Sequence, residues 1–251
     1  MPRLTIDCFH DALPSYPGDP VVVAVDVIRS TTTAISCVES GRRCIVVPDL
    51  EAAMEWRERL PEAILAGELG GNMPYGFDLT NSPVEIAALA QPLERPAILL
   101  STSGTRLMRA AADRHPTLVA ALRNWEAVAA ELIASRPEEV VLIGAGTRGE
   151  FREEDELCTA WIGAELVDAG YAADTATIDI IERWRGAPAE VIRLGKSARY
   201  LRDSGQLEDL EFILDHVGDL GRTFQVRRAE VLASEAVPNG DTVLVAQTIG
   251  T

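Results

Sequence analysis

A chain of 251 residues, 47% apolar and 25% charged, can bury a large core as one compact unit or as two closely joined halves. A formal net charge of −16 argues against nucleic acid or anionic membrane as the main partner, and no apolar run approaches the roughly 20 residues that span a bilayer. The stretch from Met1 to Pro20 carries Asp7, Asp11 and Asp19 and lacks a basic segment followed by an apolar one. It does not read as a secretory signal, and a cytoplasmic location is the expectation.

In chain order, the first clear element is the apolar run VVVAVDV, Val21 to Val27, which predicts a buried strand. CIVV (Cys44 to Val47), AILL (Ala97 to Leu100), VVLI (Val140 to Ile143) and a late TVLVA (Thr242 to Ala246) predict further strands. Between them, helices are expected over Asp49 to Leu60, Pro83 to Gln91, Asn124 to Ser135, and about Glu154 to Ala169. Asn124 is placed to cap its helix, and Gly170 to stop the long one. After Ala169 the pattern is mostly helical and more charged. Near-continuous apolar strands alternating with helices predict a three-layer α/β/α fold with a largely parallel sheet. With no low-complexity linker in sight, residues 1–251 read as one unit. The four cysteines, Cys8, Cys37, Cys44 and Cys158, form no CxxC pair and read as reduced, mostly buried thiols.

Three units share one cadence of apolar strand, Ser/Thr/Gly turn with arginine, then helix: VVVAVDVIRSTTTA, AILLSTSGTRLMRAA and VVLIGAGTRGEF. An old duplication into two similar halves would produce it. So would three parallel strands ending on one rim, the simpler reading, which predicts that the three turns converge where such sheets bind ligands.

The turns carry the candidate chemistry. In VDVIRSTTT (Val25 to Thr33), Asp26 ends an apolar strand, where an unpaired acid is costly unless it has a use. Free amides, the hydroxyls of Ser30, Thr31 and Thr32, and the Arg29 guanidinium suit phosphate oxygens. A simple capped helix is the blander alternative. A haloacid-dehalogenase site would need a second aspartate at position 28, where Ile28 stands. GELGGNMPYGFDLTNSP (Gly67 to Pro83) is rich in glycine and includes Glu68 and Asp78, so it fits either metal binding or a turn-rich link capped by Ser82. STSGTR (Ser101 to Arg106) sets Ser101, Ser103, Gly104 and Thr105 at an oxyanion-like turn. In GAGTRGEFREEDELCTA (Gly144 to Ala160), Gly144, Gly146 and Gly149 match the dinucleotide fingerprint. The acidic run after Gly149 fits an anion turn bearing Arg148 better, with a helix start whose Glu154 and Asp155 could reach a metal or simply face solvent.

Together these motifs resemble the 2-phosphosulfolactate phosphatases of coenzyme M biosynthesis. Similar to that family are VDVIRSTTT, the Gly67 to Pro83 segment, STSGT, the Gly149 to Cys158 block, and GKSARYLRDSG (Gly195 to Gly205). The resemblance spans roughly residues 20 to 215. It departs at Ser103, where asparagine is common, and at Arg152 and Glu153, where a serine-leucine pair is usual. The resemblance implies one phosphatase domain over 1–251 and Mg²⁺-dependent hydrolysis of a small anionic phosphate monoester such as (2R)-O-phospho-3-sulfolactate. It implies catalytic roles for Asp26 and Arg29. Substrate contacts would come from Ser30, Thr31, Thr32, Ser101, Ser103, Gly104, Thr105 and Arg148, and metal ligands from Asp26, Glu68, Asp78 and Asp155. Asp26 could be a metal ligand or a phosphorylated nucleophile. Other readings are a phosphatase with a shifted substrate, a non-catalytic anion binder, or, on Gly144 to Gly149 alone, an oxidoreductase. A homodimer is left open as the assembly.

Overall fold

The apolar runs become strands of one sheet, and charged or glycine-rich segments become the turns that end them. A computed structural model describes residues 1–89, 95–147 and 149–234. Its first half runs β1 (Arg3–Cys8), β2 (Val21–Val25), α1 (Ser30–Glu39), β3 (Cys44–Val47), α2 (Leu50–Arg59), β4 (Ile64–Gly67), α3 (Pro83–Ala88), β5 (Ala97–Leu100) and α4 (Gly104–Ala112). The second half runs β6 (Thr117–Ala120), α5 (Trp125–Ser135), β7 (Glu139–Gly144), α6 (Glu153–Asp168), β8 (Ala172–Ala173), α7 (Thr175–Trp184), α8 (Lys196–Asp203), α9 (Leu207–Asp215), β9 (Phe224–Arg227) and β10 (Glu230–Ala233).

The described residues form a ten-stranded sheet in the order β4-β5-β3-β10-β9-β6-β2-β7-β1-β8. β4, β5 and β3 are parallel, as are β6, β2, β7, β1 and β8. The β9/β10 hairpin, antiparallel to β6 and β3, joins these two blocks. The fold is thus a mixed, mostly parallel α/β/α arrangement, as the apolar strands predict.

Period-two alternation sorts the core to the two faces. On β2, Val22 and Ala24 join the cluster under α1, α3 and α4, while Val23 and Val25 join the one under α5, α6 and α7. Val141 and Ile143 of β7 go with the former, Val140 and Leu142 with the latter. On the outer block, Ile45, Val47, Ile98 and Leu100 pack against Ala53 and Trp56 of α2.

The structure refines several expectations. β2 stops at Val25, so Asp26 is the first residue of the turn rather than part of the strand. Asn124 occupies the cap position of α5, but its side chain turns back, accepting from the Ala121 amide and donating to the Val119 carbonyl. The helix expected to Gln91 ends at Ala88, and the remainder of that span reaches residues outside those described. The late TVLVA segment also lies outside the described residues. The four cysteines are free, and three of them are buried. Among the described residues, no helix is long and apolar enough to cross a membrane.

Candidate active site

The turns after β2, β5 and β7 do converge. β5 and β2 have β3, β10, β9 and β6 between them, yet the Ser101 and Ser30 hydroxyls stand 3.0 Å apart. α1 and α4 bury their apolar faces in one cluster, which brings their N-termini together. Asp26 sits at that junction. Its carboxylate accepts from the Ser30 amide at the start of α1 (3.4 Å) and from the Gly104 amide at the start of α4. Amide dipoles of two helix starts favour the anion there. The fit is close at Gly104: a Cβ there would overlap Asp26 Oδ2 and lie 2.6 Å from the Ser30 Cβ.

Asp155, in the first turn of α6, closes the other side. Its Oδ1 accepts from the Val27 amide just past β2 (2.8 Å), and its Oδ2 from the Gly146 amide just past β7 (3.4 Å). Glu154 is likewise buried; it accepts from the Ser197 hydroxyl, while its Oε2 has no partner. The acidic opening of α6 therefore faces the site rather than solvent. Burial, followed by the opposing pull of the Ser30 amide and the repulsion of Glu68, leaves the Asp26 carboxyl pushed up to about 7. Burial and the neighbouring Glu153 and Asp26 charges push Glu154 up to about 7 as well, against the pull of Ser197. Asp155 is driven upward by burial and by the charges of Asp26 and Glu154. These carboxylates are short of positive charge.

Glu68, after β4, fastens a glycine turn to the β5 turn. It accepts from the Thr102 amide (2.7 Å), the Thr102 hydroxyl (2.9 Å) and the Gly71 amide (2.7 Å). Together with Asp26, Thr102, Ser103, Gly70 and Gly71 it lines a cleft of about 450 Å³. Ser30, Ser101 and Gly104 stand directly behind Asp26 as its support.

Other expected contacts fall elsewhere. Thr31 and Thr32 turn their hydroxyls onto the Asp26 and Val27 carbonyls, and Thr105 is bonded to Ser101. A buried hydroxyl at a helix start satisfies itself on a carbonyl of the preceding turn, and none of the three lines the cleft. Asp78 is not with the other acids: its carboxylate accepts from the Leu65 amide (2.8 Å) and faces Arg57 (3.4 Å). Its short reach is used up on the strand beside it. Arg106 donates to the Pro48 carbonyl and lines a separate cleft with Trp56 and Arg109. Arg148 lies outside the described residues.

Arg29 borders the cleft but is already bonded. Its Nη1 donates to Asp209 and to Gln206 Oε1 (2.5 Å), and its Nη2 to Asn81 Oδ1 (2.8 Å). Asp209 also accepts from the Ser82 hydroxyl. Arg29 thus ties α9 and the Asn81 turn to the start of α1 while it borders the cleft beside Asp26.

Sequence reasoning missed the cleft's far wall. It carries Arg152 before α6, and Lys196, Ser197 and Tyr200 on α8. The Tyr200 hydroxyl donates to the Gly71 carbonyl, closing α8 over the glycine turn. The familial look of GKSARYLRDSG was the one available signal, and it named no role. Gly149 has φ +76°, and beside it the Thr147 and Glu150 backbones pair.

A hard cation fits the inner end. The donors are carboxylate oxygens, one of them a buried orphan, and burial drives up their proton affinity by more than the Arg29 charge offsets at Asp26. Among the described residues no three such groups stand ready as a closed cage. Mg²⁺ needs none, because it keeps several waters and takes one or two carboxylates plus substrate phosphate.

Comparison with known proteins gives the family. A family model described as 2-phosphosulpholactate phosphatase matches residues 9–217. The chain belongs to this family of phosphoric monoester hydrolases. It is 35% identical over 219 residues to a probable 2-phosphosulfolactate phosphatase of Thermus thermophilus, covering 84% of this chain and 89% of the relative. A protein of the same description from Deinococcus radiodurans is 34% identical over 215 residues, covering 84% and 88%. One from a Synechococcus species is 31% identical over 252 residues, covering 94% and 98%.

Proposed function

We propose that this chain hydrolyses the phosphate monoester of a small, multiply anionic alcohol with the help of Mg²⁺, and that 2-phosphosulfolactate is its substrate. The substrate follows from the family and from its relatives' names. The metal follows from one observation: burial and mutual repulsion push the buried carboxyls of Asp26, Glu154 and Asp155 upward, and Arg29, whose charge offsets Asp26 in part, is itself bound to Asp209. A phosphate dianion would be repelled from such a floor unless positive charge came with it.

One or two of the carboxylates of Asp26, Glu154 and Asp155 would hold the cation, water and substrate phosphate completing its shell. Bound there, it would supply Lewis-acid stabilisation of charge on the phosphoryl oxygens. The chain's own groups do the rest. The Ser30 and Gly104 amides fix the Asp26 carboxylate, and the Val27 and Gly146 amides fix Asp155, so neither must reorganise as charge develops. Thr102 is held by Glu68, and Ser103 beside it in the cleft offers its hydroxyl to the ester. Tyr200, anchored on Gly71, narrows the cleft against water.

The test is phosphate release from a panel of small phosphomonoesters, including 2-phosphosulfolactate, with Mg²⁺ and with excess chelator. Metal-dependent release, fastest from the sulfolactate ester, is expected. Full turnover under chelation would remove the metal from this account, and release from no ester would remove the phosphatase reading.

A further inference from the structure

The wall opposite Asp26 holds a charge arrangement that the chemistry above does not use. Lys196 Nζ lies 2.7 Å from Glu150 Oε2, and Arg152 Nη1 lies 3.2 Å from the same oxygen. Two cations thus share one carboxylate oxygen, which leaves a surplus of positive charge in a cleft otherwise rich in acid. Arg152 is the deeper of the two, with its side chain 13% exposed, against 49% for Glu150 and 56% for Lys196. Its Nη2 donates to the Thr147 carbonyl at 3.3 Å, while its buried Nε has no partner. A buried guanidinium nitrogen without an acceptor is costly to leave so. Glu150, by contrast, is half exposed, and exposed ion pairs are weak.

We propose that Arg152 and Lys196 form a second anion subsite, which binds the carboxylate or sulfonate that the substrate carries beyond its phosphate, and that Glu150 is a stand-in carboxylate displaced by that group. This rests on the phosphatase reading and assigns the part of the cleft that tells one phosphoester from another. The Arg152 fork can meet two oxygens of a planar carboxylate or a tetrahedral sulfonate, and Lys196 adds a point charge at the mouth. A neutral substituent at the same place would leave the pair with Glu150 and gain nothing from it. The subsite therefore favours ligands that bear two anionic groups, with phosphate at the acidic end and the second anion at the basic one.

The arrangement makes a prediction of opposite sign for residues in direct contact. Kinetics would compare phosphoglycolate with ethyl phosphate, esters of like length that differ in the second anion, on wild type, Arg152→Gln, Lys196→Gln and Glu150→Gln. The wild type should prefer phosphoglycolate in kcat/KM. Arg152→Gln and Lys196→Gln should shrink that preference by about tenfold or more, through KM, since a charge-assisted bond is lost. Glu150→Gln should enlarge it severalfold, because the competitor is gone. A preference left unchanged by Arg152→Gln and Lys196→Gln, or one reduced by Glu150→Gln, overturns the proposal.

A calorimetric titration with sulfoacetate, which needs no turnover, separates this from the parent reading. Wild type should bind it, the Arg152 and Lys196 variants more weakly, and Glu150→Gln more tightly. That pattern in a protein that hydrolyses no ester would retain the subsite and discard the phosphatase, whereas equal binding by all four, or none by wild type, would discard the subsite. Lys196 is exposed enough that its replacement leaves the fold unthreatened, so a misfolded Arg152 variant still leaves a decision.

Discussion

Two buried charge clusters lie within a few residues of each other in sequence, and they differ in whether their charges are matched. Around Arg29, every strong group has a partner: Asp209 and Gln206 on one side, Asn81 on another, with Ser82 completing Asp209. Around Asp26, the acids Glu154 and Asp155 have amides and a hydroxyl, the Arg29 charge offsets Asp26 only in part, and the proton affinities of all three rise. Burial alone therefore does not mark a site. A matched cluster holds elements together, while an unmatched one is shaped for something that arrives from outside.

The sharpest way to break this contrast is to neutralise one member of each cluster. Asp26→Asn keeps size and hydrogen-bonding capacity but removes the charge. Turnover should fall on the order of 10³-fold or more, while the melting temperature stays level or rises as repulsion among the acids is relieved. Single-turnover phosphate release and a melting curve on one preparation would check both. A well-folded variant with near-normal release would show that the chemistry lies elsewhere.

Asp209→Ala should behave in the opposite way. Removing it strands a buried guanidinium, a loss of about 3–5 kcal/mol in stability. Chemical denaturation should register that loss even if the surviving folded molecules still turn over. A variant as stable as wild type would mean that Arg29 is not held as described.

Gly104→Ala probes how closely the two clusters' scaffold fits. The added methyl must displace Asp26 or Ser30, so stability should drop by about 1–3 kcal/mol. Activity should fall on the order of 10²-fold, as a misplaced catalytic group would require. Wild-type rates with this alanine would refute the close approach of α4 to Asp26. The smallest effect is expected at Asp78, whose carboxylate serves the Leu65 amide. Asp78→Asn should change stability by less than about 1 kcal/mol and leave metal-dependent turnover in place. A loss of metal response there would return Asp78 to the ligand set.

Much of this was legible in the chain. Apolar runs read as strands because burial on both faces leaves no polar alternation to confuse them, and an acid at the end of such a run pointed to Asp26. The convergence of the three turns followed from the direction of parallel strands. Hydroxyls were harder. Thr31, Thr32 and Thr105 have the right chemistry for an oxyanion, but a carbonyl of the turn before the helix claims each of them, and only the backbone path decides that. Long-range partners were beyond reach: nothing near Arg29 announces Asp209, 180 residues away. Arg152 figures only as a departure from the family pattern and Lys196 only within a familial segment, and it is the docking of α8 that brings both to one carboxylate.

The central proposal is that the Asp26 cluster, its charge only partly offset by Arg29, receives a divalent cation. Isothermal titration of Mn²⁺, as a reporter for Mg²⁺, into wild type and Asp26→Asn tests it most directly. The wild type should take up the ion, and the variant should bind it at least tenfold more weakly, as expected on losing one charged oxygen donor. Equal affinity in the two proteins, or turnover by a wild type that binds no divalent ion, would contradict the account.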